Sequence, residues 1–240
     1  MRSAIIGAAL ALSACTVGHG HDGEEGQSGA TGRRDFQVGA FHAVSLEGSQ
    51  DVIVTVGGAP SVRAEGSAEA LERLDIRVEN GELKIGTRRE GWFGSRHRGA
   101  VTVHVSVPAI DSAAIAGSGD MRIDRAQGQT FEASIAGSGD LQVGALQARR
   151  AKFSIAGSGG ITAVGQAEQS EVSIAGSGDM NLTGLQTRRT SVSVAGSGDI
   201  RIHASESVDG SVMGSGDISV SGGARCSVSK MGSGDISCGP

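Results

Sequence analysis

Six aspartates recur along the second half of the chain, at Asp120, Asp140, Asp179, Asp199, Asp217 and Asp235, each closing the phrase Gly-Ser-Gly-Asp. A seventh copy, Gly157–Gly160, lacks the acid. Regularly spaced carboxylates have three ordinary uses. They bind a hard cation such as calcium, which demands several oxygen ligands. They work in pairs as acid and base on a glycosidic bond. Or they accept backbone N–H groups at turns. One carboxylate per repeat is a thin supply for calcium, so backbone capping is the expected role, and the six remain the less favoured calcium candidates. No Asp/His/Arg cluster stands apart from the repeat, so the sequence predicts no catalytic residue and no cofactor beyond that calcium alternative.

Three other groups of residues carry chemistry. Met1-Arg2, an apolar run over Ala4–Leu12 and the small residues Ser13-Ala14 read as a secretory signal peptide, too short for a membrane span. Leu12-Ser13-Ala14-Cys15 resembles a bacterial lipobox, which implies cleavage before Cys15 and lipid attachment to it. The remaining cysteines, Cys226 and Cys238, form an even pair in the last repeat, and an oxidising envelope permits a disulfide there. Between Arg88 and Gly99, Trp92, Phe93, Arg96, His97 and Arg98 place an aromatic pair among basic residues. This is either a contact loop for a glycan, lipid head group or protein, or a long hairpin tip folded back on the body, and the second is the favoured reading. His19 and His21 beside Asp22 fall in a polar linker, where no fold holds ligands in place.

The elements that position the aspartates are legible from the columns around them. One column before each phrase reads Ile115, Ile135, Ile155, Ile174, Val194, Val212, Lys230. After the phrase come Met121, Leu141, Ile161, Met180, Ile200, Ile218, Ile236. Apolar residues at every second position mark strands with one buried face. The phrases start 20, 20, 19, 20, 18 and 18 residues apart, the period of a solenoid. Each unit reads as strand, glycine corner, strand and polar return, and only stacking buries its apolar face. The fold expected is all-β, a parallel β-solenoid with rungs of about 20 residues.

The domain plan follows. Residues 1–14 are the signal peptide, and 15–34 the lipidated cysteine and a Gly/Ser/acid-rich tether. Residues 35–110 are an irregular β portion, and 111–240 the regular Gly-Ser-Gly-Asp solenoid. Within the irregular part, Val44–Val54 keeps the repeat's grammar with Gln50 in place of the second glycine. Ser67–Leu74 predicts a helical turn. Asn80-Gly81 predicts a hairpin between Ile76–Val78 and Leu83–Ile85. Val101–Val107 alternates cleanly up to Pro108.

Together, Val44–Val54, Asn80-Gly81-Glu82-Leu83-Lys84-Ile85, Val101–Pro108 and the Gly-Ser-Gly-Asp series resemble the head GIN domain family of auto-transporter adhesins. The resemblance covers about Phe36 to Pro240. It implies a right-handed single-stranded β-helix in a secreted or lipid-anchored envelope protein, and it supplies no catalytic residues. The lipobox resemblance, with Thr16 and not Asp after Cys15, implies an outer-membrane address if the source is a Gram-negative bacterium. The net charge of −5 gives no sign of the basic surface that nucleic-acid binding favours. Arg149-Arg150 and Arg188-Arg189, two repeats apart, read with Glu132, Glu168 and Glu171 as solvated charge ladders, in preference to a polyanion site. The expected function is thus a non-enzymatic, adhesin-like envelope protein. It would be held to the membrane by the lipid on Cys15 and touch surface polymer or protein. The alternatives are a polysaccharide-active β-helix enzyme, or a purely structural envelope-stress lipoprotein.

Overall fold

A computed structural model of the chain describes residues 31–88 and 99–239. Its strands all join one hydrogen-bonded network. In chain order these are β1 (Thr31–Phe36), β2 (Ala43–Gly48), β3 (Asp51–Val56), β4 (Ser61–Ser67), the short helix α1 (Ala68–Glu72), β5 (Leu74–Glu79), β6 (Glu82–Thr87), β7 (Val101–Val107), β8 (Ser112–Gly117) and β9 (Met121–Ile123). Longer strands follow: β10 (Ala126–Gly137), β11 (Asp140–Gly157), β12 (Gly160–Gly176), β13 (Asp179–Gly196) and β14 (Ile200–Gly214). The chain closes with β15 (Ile218–Ser221), β16 (Arg225–Gly232) and β17 (Ile236–Cys238).

From β8 onward each rung lies parallel on the one before it. The register Ile115↔Ile135↔Ile155↔Ile174↔Val194↔Val212↔Lys230 is the column anticipated from the repeats. These aliphatics, with the column Met121, Leu141, Ile161, Met180, Ile200 and Ile218, are buried in one continuous core. The polar return is itself a strand: Leu146–Ala148 pairs in register with its neighbours, with a bulge after Val143. Sequence periodicity misses this face because few of its side chains turn inward. Leu146 and Ala151 are buried with only the half-buried Ala148 between them.

The first part of the molecule is built differently. β2 and β3 make a rung, but β8 and β9 stack on one side of it and β6 and β7 on the other. Beyond β6 and β7 the ladder turns antiparallel, with β5 beside β6, β4 beside β7, and β1 beside β4. The chain therefore leaves β3, forms this outer layer, and then fills the space between layer and rung with β6 and β7. The hairpin turns at Asn80 and Gly81 with φ of 53° and 79°, and Ser67 caps α1, its Oγ accepting from Ala70 N–H. One boundary shifts. Thr31–Arg34, assigned to the tether from composition, belongs to β1, which holds to β4 by backbone pairing and an Arg33–Glu65 ion pair of 2.7 Å instead of by apolar alternation.

Candidate functional site

The Gly-Ser-Gly-Asp corners stack into one edge of the solenoid, and their chemistry is local. Gly137 has φ +146°, and a Cβ there would lie 2.0 Å from the Gly117 carbonyl oxygen. A side chain is thus excluded twice, by conformation and by the close approach of the rung below. Ser138 N–H donates to Gly117 O at 2.9 Å, and the same bond recurs from Ser158, Ser177, Ser197, Ser215 and Ser233 to the glycine one rung earlier.

Every corner carboxylate but that of Asp235, in the last rung, accepts from the backbone of the next rung. Asp140 N–H donates to Asp120 Oδ1 at 2.9 Å, Gly160 N–H to Asp140 Oδ1 at 2.8 Å, and Asp199 N–H to Asp179 Oδ1 at 3.0 Å. Asp217 and Asp235 continue the series. Where Gly160 supplies no carboxylate, Asp179 N–H turns to the Gly159 carbonyl at 3.1 Å. Sequence reasoning places each cap within its own corner, whereas the geometry makes it a tie between rungs. Carboxylates one rung apart repel by about 0.9 kcal/mol in water, while a hydrogen bond to a charged group contributes about 1.5–3 kcal/mol. The capping bond outweighs the repulsion. Among the described residues, no group of three or more His, Cys, Asp or Glu side chains is placed to hold a metal ion.

Cys226 and Cys238 are joined by a disulfide that links β16 to β17 in the last rung. Lys230 stands in the aliphatic column of that rung and turns its Nζ to the Gly234 carbonyl at 2.6 Å. Cys15 and the Trp92, Phe93, Arg96, His97, Arg98 group lie outside the described residues. Phe41, Phe131 and Phe153 are buried in the core. Phe36 is half-buried, with the Arg34 guanidinium 4.7 Å above its ring.

The return face holds a feature that the repeats alone conceal. Register puts Gln127, Gln147, Gln166 and Gln186 in one column, ending at His203. Gln127 Nε2 donates to Gln147 Oε1 at 2.6 Å. The neighbouring column of Ala148, Ala167 and Thr187 is small and turned partly inward, so it floors a hollow of about 460 Å³ that Arg188 flanks. A second hollow of about 310 Å³ lies beside it under Arg149 and Arg150, and Glu168 lines both. Glu168 holds Arg149 at 3.6 Å, and Glu206 holds Arg188 and Arg189 at 3.3 and 3.1 Å. The glutamine spacing of 20, 19 and 20 residues is the signal that could have disclosed this face.

Comparison with known proteins places this architecture. A crystal structure of a "putative adhesin" from Bacteroides fragilis superposes with a TM-score of 0.76 at 21% identity, over 87% of this chain and 96% of that one. One of a "putative lipid binding protein" from Parabacteroides distasonis gives 0.71 at 23% identity, over 88% and 97%. A "putative adhesin" from Parabacteroides distasonis gives 0.69 at 20% identity, over 88% and 97%. At these identities the likeness is one of fold. No match was found among curated proteins. The family model described as "Putative auto-transporter adhesin, head GIN domain" matches residues 40–224, and the chain belongs to that family.

Proposed function

We propose that the chain is a non-enzymatic, lipid-anchored protein of the cell envelope, which presents its rigid solenoid for contact with surface polymer or protein. The observation that carries this reading is the division of labour among the polar columns. The aspartates tie rung to rung, whereas the return face turns to solvent a column of glutamines and, at every second rung, a pair of arginines. That suits display along a line better than catalysis at a point. The adhesin description of the family supports it. So does the lipobox-like Leu12–Cys15 at the head of the chain, with the lipid on Cys15 as the anchor. No helix among the described residues is long and apolar enough to cross a membrane.

The test has two parts. Cys15→Ser should move the protein from the membrane fraction to the soluble fraction of the cells that export it. Soluble protein should be retained on at least one envelope polysaccharide without releasing new chain ends, with or without calcium. Release of new ends would turn the reading to a polysaccharide-active enzyme, and calcium-dependent retention would give the Asp column a metal.

A further inference from the structure

We propose that the twin hollows of the return face bind a linear acidic polysaccharide, with Arg149, Arg150 and Arg188 taking its carboxylates and the glutamine column its hydroxyls. This rests on the polymer-contact reading above and gives it a place and a ligand class. The chain carries a net charge of −5, yet Arg149, Arg150, Arg188 and Arg189 face only Glu168 and Glu206 here. The positive excess is local. The two glutamates fix three of the guanidinium groups, while Arg150 has no side-chain partner among the described residues. Guanidinium groups held in place suit carboxylates, which they can grip with two parallel hydrogen bonds.

The glutamines offer both a donor and an acceptor at every rung. Gln147, Gln166 and Gln186 line the larger hollow over three successive rungs, about 10 Å, so it suits an extended chain lying along the axis. Among the described residues no aromatic side chain lines either hollow, so charge and hydrogen bonds are what these linings offer for recognition. The charge spacing also separates polyuronate from nucleic acid. Arg149 and Arg188 stand two rungs apart, about 10 Å, with Glu168 between them. A duplex presents a phosphate charge every ~1.7 Å and would meet that glutamate repeatedly. A chain with one carboxylate per sugar is sparser and can straddle it.

The experiment measures binding of polygalacturonate to the full mature chain, with a neutral dextran and a double-stranded oligonucleotide alongside. Polygalacturonate should bind, and more weakly as salt rises. The double variant Arg149→Ala/Arg188→Ala should lose roughly tenfold or more in affinity. The charge-matched Arg122→Ala/Arg201→Ala, on the face beside the Asp column, should stay within about twofold, the range of a screened surface charge. Glu168→Gln should tighten binding, a gain that a damaged fold cannot mimic. Equal loss in both double variants, full affinity without Arg149 and Arg188, or equal affinity for the oligonucleotide would overturn the proposal. Retention of dextran but not polygalacturonate would overturn it and leave the adhesin reading standing. Retention of no polymer here or in the wider panel would remove the polymer reading as well.

Discussion

Between Ser112 and Cys238 the order of rungs in space is the order of residues along the chain, but between Ala43 and Val107 it is not. In the later region each strand meets the one 17–20 residues before it. In the earlier region β2 waits for β6, 39 residues downstream from Ala43 to Glu82, before its outer edge is covered. The two ends differ accordingly. The first is closed by antiparallel strands and α1, with Leu71 and Leu74 buried beneath. At the last, Val228 and Ile236 are only half-buried and Met231 is 73% exposed. Identical columns thus serve two architectures: a cap that must be completed as a unit and a stack that grows by addition. In a stack, stability sums over neighbouring rungs, and a terminal rung can open alone.

The largest test of that contrast is a matched pair of truncations. Leu46→Ala, fully buried between β6 and β8, should destabilise the protein by about 2–5 kcal/mol in urea unfolding. Val228→Ala should cost well under half as much. Equal costs would mean that the two regions behave alike. Next, Cys226→Ser should release a 12-residue closure worth up to about 3 kcal/mol. Amide exchange should quicken in β16 and β17 and stay unchanged in β2 and β6. Spread of that exchange into β2 would make the whole rod a single cooperative unit.

A smaller effect is expected for Asp140→Ala, which strands the Gly160 N–H at an exposed edge and should cost about 1 kcal/mol. Asp140→Asn keeps an acceptor and should recover most of it. The smallest concerns the cap surface. Lys84 and Arg77 beside Glu79 hold its carboxyl below the ordinary 4.5. A lowered folded-state value contributes stability above the unfolded value, and that contribution fades as pH falls through the folded one. Glu79→Gln should therefore flatten the acid limb of the stability curve slightly below pH 4.5, and leave neutral stability almost untouched because the pair is exposed.

Legibility in the sequence follows the same divide. The aliphatic columns, the glycine corners and the Asn80-Gly81 hairpin are local signals, and each lies where its residues predict. Rung order is different, because Leu83 and Ile85 carry the same alternation whichever neighbour they stack on. Only long-range pairing puts them outside Val44 and Leu46. β1 escaped notice because Arg33, Arg34 and Asp35 offer no apolar period. The Gln147 column was hidden for a related reason. Amides carry no hydropathy rhythm, so only their recurrence at 20, 19 and 20 residues marks the column, and the bulge after Val143 absorbs the shorter step. The Asp column was legible as a position and not as a partner, since sequence spacing does not tell a cap on its own corner from one on the next.

The rung-on-rung register also makes length a heritable quantity. Removing residues 141–160 would join Asp140 to Ile161, which follows its corner as Leu141 does and occupies the same column. Neither the antiparallel cap nor the cysteine clamp would be touched. The molecule would shorten by one step of about 4.8 Å, and duplication of the same segment would lengthen it by one. A lineage carrying this chain can therefore change its reach in single increments through ordinary slippage between repeats, without reinventing either end.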